Sequence, residues 1–119
     1  MITLPYWVDM CPDKKNHIVA RLSQNDEDFT LIFHLYASEG EFTLASGTTA
    51  TLRGTLTNGD QVTVAGTLDE AEQTVTINGS SAITASAGHN VFEIGLASGG
   101  KNLYSENFDI WVEPAPLGL

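Results

Sequence analysis

Three histidines, one cysteine and fifteen carboxylates are the groups that could do chemistry in this chain of 119 residues. His17, His34 and His89 fall in three separate segments, and Cys11 has no second cysteine beside it. Zinc needs three or four converging nitrogen or sulfur ligands, and no spacing here supplies them. Asp26-Glu27-Asp28 is a run of adjacent acids without the spaced carboxylates and glycine of a calcium loop, so it reads as a solvated turn. The same reading covers Asp69, Glu70 and Glu72. No G-x-S-x-G elbow raises a serine for attack. Cys11 lies between Met10 and Pro12 with only Lys14 and Lys15 nearby, too little positive charge to make it a nucleophile. Glu93 sits between Phe92 and Ile94, and strand alternation turns it away from both. Gly99-Gly100 suits a hairpin rather than a phosphate loop. The expectation is a protein that is not an enzyme and uses no metal or cofactor.

Aromatic side chains are the remaining lead. Tyr6 and Trp7 lie in an N-terminal stretch that Pro5 and Pro12 interrupt, and Trp111 falls on the strand face opposite Ile110 and Val112. These three are the candidate interface residues. Such rings stack on sugars or pack against a neighbouring subunit, and both uses stay open at this level, as does simple covering of a sheet edge.

Composition narrows the class of partner. Five Lys and Arg against fifteen Asp and Glu leave a net charge of −10. A chain this acidic repels phosphate backbones and anionic lipid surfaces, so neither nucleic acid nor membrane is an expected partner. No apolar run reaches membrane-spanning length, and the N-terminus shows no basic start followed by a secretory apolar stretch. A lone cysteine cannot staple the fold, but a chain of this size buries roughly two-thirds of its extended surface and can hold a core without one. Thirteen Thr, eight Ser and eleven Gly favour strands and turns over helices.

The elements that must position these residues are short strands. Ile18, Ala20 and Leu22 alternate with Val19 and Arg21. Phe29, Leu31, Phe33 and Leu35 alternate with Thr30, Ile32, His34 and Tyr36, the clearest period-two stripe in the chain. Thr48–Thr57 and Gln61–Leu68 flank Asn58-Gly59, a tight-turn pair. Thr74–Ile77, Asn90–Ala97 and Asn102–Glu113 complete about seven strands. Ser80–Ala87 reads as a short helical turn. The expected core is Leu31, Phe33, Leu35, Leu52, Val75, Ile77, Phe92, Ile94, Leu96, Phe108, Ile110 and Val112. The expected fold class is all-β, a two-sheet antiparallel immunoglobulin-like β-sandwich spanning residues 17–113. Residues 1–16 form an irregular N-terminal arm in this reading, adding little to the core, and residues 114–119 a C-terminal linker or tail, because Pro114 and Pro116 cannot continue a ladder.

The order of segments resembles a known family. Ala20–Asp26 leads into Phe29–Tyr36, followed by a turn at Gly40, a G-x-x-A-x-x-R-G strand from Gly47 to Gly54, the Asn58-Gly59 turn, Ala87-Gly88 before Glu93, and a closing F-x-x-x-V-x-P strand from Phe108 to Pro114. Over residues 17–116 this is similar to the N-terminal domain of phage baseplate upper proteins. The resemblance implies an immunoglobulin-like domain in the tail baseplate of a phage or prophage, located in the virion and made in the bacterial cytoplasm without a signal peptide. Its partners would be other tail or baseplate proteins, with homo-oligomers among the options. The alternatives are a carbohydrate-binding β-sandwich and a bacterial surface immunoglobulin-like domain.

Because no segment carries a ligand spacing, EDTA treatment should leave the melting temperature unchanged. A fall of many degrees, reversed by zinc or calcium, would reveal a structural metal.

Overall fold

Period-two alternation builds nearly all of this protein. The computed structural model describes residues 2–11, 18–40 and 42–114. Its nine strands are β1 (Ile2–Asp9), β2 (Ile18–Ser23), β3 (Phe29–Tyr36), β4 (Thr49–Thr55), β5 (Gln61–Asp69), β6 (Thr74–Asn78), β7 (Gly88–Ser98), β8 (Lys101–Tyr104) and β9 (Phe108–Glu113). There is no helix among the described residues. The hydrogen-bonded order is β1-β3-β6-β5-β4-β7-β9-β2, with β8 alongside β7. The result is one sheet rolled until it is nearly closed like a barrel.

Two halves of the sheet face each other, and β5 joins them. Residues 61–66 of β5 pair with β4, and then Thr67, Leu68 and Asp69 pair with β6. The corner falls at Gly66. A Cβ there would lie 2.7 Å from Val75 Cγ1 and 2.8 Å from Ile77 Cδ1, so the backbone turns against the core only because this residue has no side chain. The ladder is therefore continuous through β5 from one half to the other, and β1–β3 and β2–β9 are parallel pairs where the sequence led to an antiparallel arrangement.

The expected core residues are all buried. Phe33 of one half packs on Phe108 of the other, with ring centroids 5.3 Å apart. Ile83 joins them from the segment between β6 and β7. That segment is a series of turns rather than a helix, with the Ile83 N–H donating to the Ser80 carbonyl at 3.0 Å.

Three local expectations need correcting. The N-terminal arm is not irregular, since residues 2–9 form β1, parallel to β3 in the register Ile2↔Phe29 to Asp9↔Tyr36. Leu4, Tyr6 and Val8 point inward, Leu4 and Tyr6 pack on the core, and Val8 and Met10 are part of it. Pro12 and residues 13–17, including His17, lie outside the described residues, as do residues 115–119. The span from 102 to 113 breaks at residues 105–107 into β8 and β9. At the Asn58-Gly59 turn only Gly59 has positive φ, 92°. The Gly59 N–H bonds the Leu56 carbonyl at 2.9 Å, which makes a three-residue loop with a glycine bulge rather than a two-residue turn.

Truncating Phe33 to alanine should cost about 3–5 kcal/mol in urea denaturation, because the cavity would open at the contact between the halves. Gly66→Ala should cost about 1–3 kcal/mol by overpacking the corner. A neutral Gly66→Ala would show that β5 does not turn against Val75 and Ile77.

Candidate interaction surface

β1 is an edge strand, and its edge is managed residue by residue. The Ile2 N–H donates to the Asp28 carbonyl and the Met10 N–H to the Tyr36 carbonyl. In a parallel ladder this directs the even-numbered amides of β1 toward β3 and the odd-numbered ones toward the open side. Pro5 is odd-numbered, so the donor it lacks is one the ladder never needed.

Asp9, the last odd position, is tied down by a buried clasp. Its N–H donates to Glu106 Oε2 at 2.8 Å, and the Glu106 N–H donates back to the Asp9 carbonyl at 2.9 Å. Asp9 Oδ1 accepts the N–H of Cys11 at 2.9 Å and of Ser38 at 3.1 Å. Ser105 carries the link to the opposite half: its Oγ accepts the Ile94 N–H at 2.9 Å and donates to the Glu106 carbonyl at 2.8 Å. Asp9 is 1% exposed and Glu106 3%. Burial alone would raise the Asp9 pKa, but hydrogen bonds from Cys11 and Ser38 outweigh it and hold the carboxyl below its usual range.

With β1 fixed, the candidate residues separate. Tyr6 faces inward, its ring centroid 6.4 Å from that of Phe33, and burial pushes its hydroxyl pKa up. Trp7 faces outward and is 61% exposed. It lies flat on its register partner His34, with centroids 4.7 Å apart and planes 14° from parallel. Around it, the outward positions of β1 and β3 carry Thr3, Pro5, Thr30, Ile32 and Tyr36, and those of β6 and the end of β5 carry Thr74, Thr76, Asn78, Thr67 and Asp69. Asp69 is the one formally charged side chain among these positions.

Trp111 lies on the outer face of the other half, beyond the Phe33–Phe108 contact, so the fold does not bring it to Trp7. Its ring centroid is 4.5 Å from that of His89, and its Nε1 donates to Glu113 Oε1 at 2.5 Å. His89 Nδ1 is 3.3 Å from Asp109 Oδ2. This second face is charged. Arg53 Nε lies 3.3 Å from Glu93 Oε2, and the guanidinium sits 4.5 Å above the Tyr104 ring. Beside that pair, Thr55, Gln61, Thr63 and Asn107 line an open polar groove of about 410 Å³. No group of three or more His, Cys, Asp and Glu is placed to hold a metal ion among the described residues.

Sequence reasoning singled out Trp7 but missed Ile32, His34 and Tyr36 as its neighbours. The signal was present in the off-phase set of the β3 stripe, where two large apolar residues alternate with the buried ones.

Asp9→Asn should cost about 1–3 kcal/mol at neutral pH by weakening the clasp. Asp9 is more acidic in the fold than in the unfolded chain, where its pKa is about 3.9. Its contribution is therefore present above that value and lost as pH falls through the folded one. Urea denaturation across this range should show the gap between wild type and variant closing in acid. A gap independent of pH would mean that the carboxylate charge plays no part.

No protein-family model matches the chain, and no curated protein sequence matches it. Among solved structures it is similar to the N-terminal domain of phage TP901-1 ORF48, with a TM-score of 0.72 at 14% sequence identity. The likeness covers 95% of this chain and 99% of that one. At this identity it is the fold that is shared.

Proposed function

We propose that this chain is a non-enzymatic structural module of a phage or prophage tail baseplate, acting in the virion through protein–protein contacts with other tail proteins. The observation that carries the reading is Trp7. A large indole held flat and exposed on a rigid, nearly uncharged sheet face is pre-organised to be covered, because it loses little side-chain freedom on binding. The likeness to a phage protein's domain across nearly the full length of both chains supports the setting. The order of sequence segments supports the baseplate upper protein family and, with two facing halves and a shared core, the immunoglobulin-like description. Trp111 offers a second contact on the opposite face, and Tyr6 supports the first one from beneath.

A carbohydrate-binding module is the second reading, favoured by the polar groove beside Arg53 and Glu93. Guanidinium, carboxylate and amide groups around a shallow depression are the chemistry that grips vicinal hydroxyls.

Co-expression with the baseplate proteins of a phage tail should yield a stable complex. Trp7→Ser should weaken that complex at least tenfold while leaving the melting temperature within a few degrees. Failure to capture any tail protein, together with saturable binding of cell-wall polysaccharide that Arg53→Ala abolishes, would replace the assembly reading with the second one.

A further inference from the structure

The face around Trp7 is shaped to fit itself. Its bulk lies on one side, with Pro5 and Trp7 on β1 and Ile32 and Tyr36 on β3. Its other side, β6 and the end of β5, presents threonines. One row crosses all four strands at the level of Trp7, running Trp7, His34, Thr74, Asp69 through the strand registers. A two-fold axis lying in the interface, parallel to the strands and between β3 and β6, would set β1 of one copy over β5 of the other, and β3 over β6. Bulk then meets the threonine strip twice, and the face's one carboxylate, Asp69, meets the Trp7 indole N–H and the His34 ring of the second copy. Such reciprocity is what an isologous dimer demands.

Charge selects the same occupant. The chain carries −10 overall, so two copies repel through most approaches. A basic partner would seat where the carboxylates are, and this face is where they are absent, with Asp69 at its margin. Area sets the strength. The four strands contribute eight, eight, five and three residues to this face, which at roughly 3.3 Å per residue and roughly 4.8 Å between strands is on the order of 380 Å² on each copy. Two such faces cover on the order of 760 Å², short of the roughly 1,000 Å² of a stable interface, so the pairing is weak and concentration-dependent.

We propose that the Trp7 face pairs with the same face of a second copy, forming a weak two-fold dimer. This rests on the assembly reading and names one partner at that surface. The test is sedimentation velocity on the full chain over a concentration series. Wild type should move from 12.8 kDa toward twice that mass. Thr76→Asp and Thr76→Lys, each placing like charges across the interface, should be monomeric alone, and an equal mixture of the two should recover the dimer. Should either variant melt early, Asn78→Asp and Asn78→Lys, at an exposed position of β6 that also lies beside the axis, replace the pair. A wild type that stays monomeric throughout overturns the proposal, as does a dimer that persists in every variant. If that monomer still captures a tail protein through Trp7, only self-pairing falls and the assembly reading stands. If it captures none, the assembly reading falls with it.

Discussion

Two buried carboxylates hold the first strand of the rolled sheet in place, and the outer face depends on them. Asp9 and Glu106 bond each other reciprocally, the Asp9 N–H to the Glu106 carboxylate and the Glu106 N–H to the Asp9 carbonyl, while the Asp9 carboxylate accepts the backbone amides of Cys11 and Ser38. Ionised groups withdrawn from water are tolerable only with such donors, and their loss is costly because a buried polar group then stands alone. The clasp fixes the C-terminal end of β1, the ladder to β3 fixes the rest, and together they set the phase of the strand. That phase puts Tyr6 and Val8 inside and Trp7 outside. Slipping β1 by one residue would bury the indole and expose the valine.

The same strand shows how an edge is kept from pairing indiscriminately. Open amide edges invite other strands, and Pro5 removes one donor while Glu106 occupies another. What β1 offers a partner is therefore chiefly a face. The two outer faces of the molecule differ in charge: the Trp7 face is nearly uncharged, while the other carries the Arg53–Glu93 pair, Tyr104 and the His89–Trp111–Asp109 cluster.

Much of this was legible in the sequence, and the exceptions have physical causes. The β3 stripe and the core could be read because apolar residues at period two leave one solution for their face. β1 could not, although Leu4, Tyr6 and Val8 alternate as cleanly as any strand, because a proline in their midst reads as a breaker unless the strand is known to be an edge. The break between β8 and β9 was hidden because Ser105 and Glu106 are polar yet buried, and only tertiary contacts with Ile94 and Asp9 show why. The roll of the sheet through Gly66 was hidden for a similar reason: a glycine within a strand marks a close approach without saying to what. Trp7 was visible as an exposed aromatic, but its face was not, since that face exists only through the pairing of β1 with β3.

The central claim is that β1 is bound into the sheet in the phase that presents Trp7, and amide hydrogen exchange tests it directly. In the native protein the amides of Leu4, Tyr6 and Val8, which face β3, should exchange as slowly as those of β3 itself. Thr3 and Trp7, whose amides face the open edge, should exchange orders of magnitude faster. Uniformly rapid exchange from residue 2 to residue 9 would contradict the account, as would protection at Thr3 and Trp7 in place of Leu4, Tyr6 and Val8.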